Sequence, residues 1–180
     1  MPQLKENTYT SKDYWNQPEG ERAELIDGKL YAMAPPSLKH QNIIFSLSRK
    51  IADYIDSNNG SCKVVLAPFA VNLNADDETY VEPDISVICD KSKLTDRCCN
   101  GAPDFIVEVV SPSSRKMDYT TKTTLYSNSG VREYWIVDPE KERTTIYHFE
   151  EDTAPIIIPF NQPVTVGIYT DLAITISDLL

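Results

Sequence analysis

Between Ser37 and Gly60 the apolar residues Ile43, Ile44, Leu47, Ile51 and Ile55 recur at helical spacing, which predicts a long amphipathic helix ended by Gly60. Upstream, "RAELIDGKLYAMA" holds two short strand-like runs around Asp27-Gly28, a pair of residues that favours a tight hairpin. Before that, "TSKDYWN" reads as a short helical turn led by Thr10 or Ser11. Past Gly60 the period shortens, and strands are expected at about 63–67, 69–73, 84–89 and 104–110. A second helix is expected over roughly 113–129, opened by Pro112 with Ser113 or Ser114 and closed by Gly130. "EYWIVD" and "RTTIYHF" follow as strands, then a tail of short strands ending in "ISDLL".

"FIVEVV" and "YWIVD" are apolar on both alternations, so both belong in the middle of a sheet covered on its two faces. A helix between them fits a right-handed crossover joining parallel strands. The order of elements gives a mixed α/β fold, a central mixed sheet flanked by helices, with an N-terminal hairpin and extra C-terminal strands. The chain of 180 residues shows no repeat or linker, so one domain over 1–180 is expected.

One residue breaks the apolar pattern. Glu108 sits inside "DFIVEVV", where a lone carboxylate is costly unless a cation or a metal answers it. A buried salt bridge and a ligand in a cleft both satisfy that demand. A second carboxylate, Asp84, stands at the mouth of the strand that starts after Pro83; a turn or cap role competes with a ligand role there. On the second helix Asp118, Lys122 and Tyr126 lie at i, i+4 and i+8 and share a face. An exposed Asp–Lys pair is one reading of that face. The other has a crossover helix returning the Lys122 ammonium to Glu108. Two carboxylates and a lysine suit Mg²⁺, which takes hard oxygen ligands and is often held by one or two carboxylates plus a substrate phosphate.

Charge and cysteines constrain the picture further. The net charge of −10 disfavours long-range attraction to nucleic acid, so any phosphate chemistry needs a local cation or a metal. "DKSKLTDRCCNG" and "SRK" place basic groups near the expected cleft, although such runs are commonly solvated surface. The N-terminus lacks a signal-peptide profile and no run is apolar enough to span a membrane, so a cytoplasmic protein is expected. In a reducing cytosol Cys62, Cys89, Cys98 and Cys99 are expected to be free of disulfides and of zinc, with Cys98-Cys99 at the surface or an interface.

Together, "AELIDGKLYAMAP", His40, "VEPDISVI", "PDFIVEVVSPSSRKMDYTTKTTLYSNSGVREYWIVDP" and "ITISDLL" resemble the Uma family of endonucleases, within the PD-(D/E)XK restriction-endonuclease-like superfamily. The resemblance spans nearly the whole chain, and the long middle segment is its most specific part. It implies a restriction-endonuclease-like core and a DNA endonuclease dependent on Mg or Mn. Asp84 and Glu108 would be the metal-binding catalytic carboxylates. The lysine of the usual pattern falls on Val110 here, and the resemblance moves it to Lys122. Glu24 and His40 match recurrent positions and would support the site, although a helical histidine with a hydrogen-bonding core role remains open. Tyr126 either orients Lys122 or fills the core. Two other functions stay open, a non-catalytic binding or regulatory protein on a nuclease scaffold and a metal-dependent hydrolase of a smaller phosphate. A homodimer would suit cleavage of two strands.

Overall fold

A computed structural model describes residues 8–180. Thr10 caps helix α1 (Ser11–Trp15), with the Asp13 carboxylate accepting from the Thr10 amide at 2.8 Å and from its hydroxyl at 3.0 Å. Strands β1 (Ala23–Ile26) and β2 (Lys29–Ala32) form the expected hairpin. Its turn residues Asp27 and Gly28 take φ of 48° and 72°, the left-handed pair that a two-residue hairpin loop requires. Ser37 then caps the long helix α2 (Leu38–Ser57), its hydroxyl accepting from the His40 amide, and the predicted apolar stripe is buried.

The strands that follow are β3 (Lys63–Leu66), β4 (Ala70–Asn72), β5 (Tyr80–Val81), β6 (Ile85–Ile88), β7 (Cys98–Asn100) and β8 (Phe105–Val109). After the crossover come β9 (Glu133–Asp138), β10 (Arg143–His148), β11 (Ile156–Pro159), β12 (Pro163–Val166) and β13 (Tyr169–Thr175). Six strands make the central sheet in the order β11-β10-β9-β8-β6-β3, and β8 runs parallel to β9 as the crossover requires. A five-stranded sheet, β2-β1-β5-β4-β7, and the β12–β13 hairpin complete the architecture.

The alternation of β8 sorts its side chains between two cores. Phe105, Val107 and Val109 face α2 and the C-terminal hairpin, together with Trp135 and Val137. Ile106 faces the opposite side, where Ile136 and Tyr134 meet Leu125 and Tyr126 of the crossover helix and the five-stranded sheet. Glu108 has the parity of Ile106, so it points towards the crossover helix.

Two expectations are corrected. Cys62 and Cys89 form a disulfide, contrary to the free thiols expected of the chain. Antiparallel pairing of Lys63 with Ile88 sets the two cysteines opposite each other, a register that sequence spacing does not reveal. The bridge closes a separation of 27 residues, so its reduction is expected to lower unfolding stability by about 2–4 kcal/mol, read from urea curves with and without reductant. An unchanged midpoint, with four titratable thiols in the protein denatured without reductant, would refute the bridge. Cys98 and Cys99, expected at a surface or interface, are buried in β7. No helix among the described residues is long and apolar enough to cross a membrane.

Candidate functional site

The crossover helix is less regular than its sequence spacing suggests. A π-helical turn, Met117–Lys122, precedes α3 (Thr123–Ser129), which ends at Gly130 with φ of 89°. Such a turn adds a residue to the repeat, and here both of its acidic and basic side chains, Asp118 and Lys122, are buried. Of the two readings open from sequence, the exposed pair is excluded: Asp118 and Lys122 lie inside the protein, 3.9 Å apart.

Lys122 Nζ sits 2.8 Å from Glu108 Oε1 and 2.9 Å from Glu24 Oε1. Glu24 comes from β1, and its Oε1 also accepts from the Glu82 amide at 2.9 Å. Tyr126 donates its hydroxyl to Glu108 Oε1 at 2.7 Å. Asp84, at the mouth of β6, accepts from the Val109 amide at 2.8 Å, and its amide reaches Glu108 Oε2 at 3.4 Å. His40, in the first turn of α2, places Nε2 3.2 Å from Asp84 Oδ2. All six residues expected from sequence thus converge. Sequence reading missed Asp118 as a member, and also Ser114, whose hydroxyl donates to Asp118 Oδ2 at 2.6 Å. The serines after β8 carried the only hint of that contact.

Three carboxylates, of Glu24, Glu108 and Asp118, lie within 4 Å of one ammonium group, Asp84 adjoins Glu108 through its amide, and the imbalance shows in the acidities of Glu108 and Asp118. Burial raises the Glu108 pKa well above the usual carboxylate range; Lys122 opposes this, and Asp84, Asp118 and Glu24 add to it. Burial likewise pushes Asp118 up to about 6, against Lys122 and the Ser114 hydrogen bond. For Lys122, burial disfavours the charge, but Glu108, Glu24 and Asp118 outweigh it and hold the ammonium form far above its ordinary range. Burial also works against a charged His40, and the hydrogen bond and charge of Asp84 overcome it, raising its pKa.

These groups line one cavity of about 540 Å³ between the N-terminal hairpin, the start of α2 and the serine turn after β8. Its walls are apolar at Met33, Pro35, Ile44 and Pro68. The basic runs expected near the cleft do not reach it. Arg115 pairs with Asp138 and Glu140, and Arg97 stacks 4.2 Å over the Trp15 ring. Substituting Tyr126→Phe removes one of the two donors to a buried carboxylate oxygen and is expected to cost about 1–3 kcal/mol. Urea unfolding checks this, and a loss within error would show that Tyr126 serves only as packing.

Comparisons with known proteins bear on the fold and the family. Solved structures include one of similar fold, described as "a putative nuclease belonging to DUF820" from Anabaena variabilis, with a TM-score of 0.76 at 21% identity over 94% of this chain and 96% of that one. Two uncharacterized proteins of Synechocystis sp. PCC 6803 are similar in sequence. One, slr1290, is 28% identical over 161 residues, covering 89% of this chain and 82% of the relative. The other, sll1609, is 27% identical over 134 residues, covering 72% and 74%. The sequence profile of the Uma2 family, described as "Putative restriction endonuclease", matches residues 9–175. The chain has a restriction-endonuclease-like fold and belongs to the Uma2 family.

Proposed function

We infer that the protein is a divalent-cation-dependent endonuclease that hydrolyses DNA phosphodiester bonds at the cavity where Asp84 and Glu108 meet. The observation that carries this reading is Glu108, a buried carboxylate in a central strand whose two oxygens have different surroundings. Oε1 takes Lys122 and Tyr126, and Oε2 takes only the long contact from the Asp84 amide.

The donor set fits a hard cation. Asp84 commits Oδ2 to the Val109 amide and to His40, and Glu108 commits Oε1, so each keeps a second oxygen. Among the described residues no three or more His, Cys, Asp or Glu side chains converge on one cation position. Two protein carboxylates are nevertheless enough for Mg²⁺ or Mn²⁺, which complete their shell with water and substrate phosphate. The surplus of buried negative charge supports the same reading. Asp84 and Glu108 would hold the cation, which would supply an acidified water and neutralise charge building on the phosphate. Lys122 stays protonated between Glu24 and Glu108, so it acts as a fixed cation that orients Glu108 and not as a base. His40, through Oδ2, holds Asp84 in place.

Calorimetric titration of Mg²⁺ and Mn²⁺ is expected to show binding, and the metal-loaded protein to nick plasmid and cut single-stranded DNA, with EDTA stopping both. Because burial raises the pKa of Glu108 and of Asp118, cation binding displaces protons. Affinity should therefore strengthen as pH rises from about 5.5 to 8, with net proton release seen in buffers of different ionisation enthalpy. Affinity that does not strengthen with rising pH, with no proton release, would contradict cation binding at this buried carboxylate cluster. Hydrolysis of a smaller phosphodiester is the second reading. It is favoured by the charge of −10 and by cavity cations already paired to carboxylates, Lys122 to Glu24 and Glu108, and Arg22 to Glu82. Metal binding with hydrolysis of small phosphodiesters and no cutting of DNA would select it.

A further inference from the structure

A second cavity, of about 580 Å³, lies beside the first, and Arg22, Ala32 and Met33 belong to the walls of both. Arg22 stands at this saddle. Its Nε donates to Glu82 Oε2 at 3.1 Å and its Nη2 pairs with the same oxygen, while Tyr14 donates to Glu82 Oε1 at 2.9 Å. The guanidinium is thereby pinned, its Nη1 has no partner among the described residues, and the side chain is 39% exposed. A planar cation fixed on one edge and open on another is a ready phosphate donor.

The second cavity has a different chemistry from the first. Tyr9, 44% exposed, gives it an aromatic wall, and Asn16 and Gln17 give it amides. Gln17 Nε2 donates to the carbonyls of Tyr14 and Ala23 at 3.1 and 3.3 Å, which fixes the amide and leaves Oε1 as an acceptor. Of its acids, Asp13 is engaged by Thr10 in the α1 cap, and Glu21 is exposed. An aromatic face with amide donors and acceptors, in one cavity with a fixed guanidinium, matches the parts of a nucleotide.

We propose that the second cavity binds the base of the nucleotide flanking the scissile phosphate, and that Arg22 grips the phosphate between them. A base can enter only when unpaired, so the substrate at this point is a single strand or a locally opened one. The proposal rests on the endonuclease reading and extends it to a second subsite.

The test is an NMR titration of the full chain with the 5′-phosphorylated dinucleotide pTpT in Mg²⁺, run beside cleavage of a single-stranded oligonucleotide. Shifts at Tyr9, Asn16, Gln17 and Arg22 are expected. Tyr9→Ala and Asn16→Trp are each expected to weaken pTpT binding roughly tenfold. Their loss of oligonucleotide cleavage should exceed their loss on bis(p-nitrophenyl) phosphate, which is too small to reach the second cavity, by a similar factor. Since Arg22→Gln leaves Glu82 unpaired, the Arg22→Gln, Glu82→Gln double variant tests the phosphate contact, with the same roughly tenfold loss expected. Cleavage by the wild type without shifts in the second cavity overturns the proposal and leaves the endonuclease reading intact. Shifts there without cleavage of any DNA keep the subsite and overturn the nuclease. No shifts and no cleavage overturn both.

Discussion

Replacing Lys122 by methionine is expected to lower unfolding stability by about 3–5 kcal/mol, because it strands buried carboxylates that share one cation. Lys122 is 4% exposed and answers Glu24 and Glu108 within 3 Å, with Asp118 at 3.9 Å. Methionine keeps the apolar stem and much of the volume, so the loss reports charge and not a cavity. Burial by itself would favour a neutral amine here; the three carboxylates reverse that preference, and the ionised forms of Glu108 and Asp118 are in turn favoured by the ammonium group. Urea unfolding in EDTA measures the effect. Adding Glu24→Gln and Glu108→Gln to the methionine variant should recover much of the loss, since a neutral buried cluster needs no cation. A loss below about 1 kcal/mol, the worth of an exposed ion pair, would mean that water reaches the cluster freely.

Glu108→Gln is expected to have the larger functional effect. The amide keeps an acceptor for Tyr126 and leaves Lys122 paired with Glu24, so the fold should survive, as a thermal melt in EDTA would show. It removes one of the two carboxylates proposed to hold the cation. Metal stabilisation of a phosphoryl transition state amounts to several kcal/mol, so cleavage should fall on the order of 10³-fold or more. Calorimetry should show Mg²⁺ binding lost in parallel. Retained binding and cleavage would make Glu108 a partner of Lys122 and nothing more.

The sequence made the scaffold of this site visible because local patterns decided it. The stripe of α2, the Asp27-Gly28 turn and the doubly apolar β8 and β9 all follow from periodicity within short windows. Glu108 was conspicuous for the same reason, a charge in a strand whose neighbours demanded burial. The missed features depend on packing between distant segments. The return of Lys122 to Glu108 is expected from sequence, but Asp118 also suits a solvent-facing helix pair, and only the packing around it decides otherwise. The π-helical turn leaves no mark on apolar spacing, and β5 and β7 are too short to show alternation. The Cys62–Cys89 bridge follows from the pairing of β3 with β6, which no spacing rule contains.

The ion pair between Glu24 and Lys122 joins residues 98 positions apart, and Glu108 lies between them in the chain. During synthesis, the hairpin bearing Glu24 leaves the ribosome well before its cation exists. At typical elongation rates of about 5–20 residues per second, Glu24 waits for roughly 5–20 seconds as a hydrated carboxylate. Its strand therefore cannot be buried early at low cost, and closure of the five-stranded sheet over the crossover helix belongs to the last steps of folding. Contacts of such long range also slow the search itself. The residues that make the site chemically unusual thus set when the chain can finish folding.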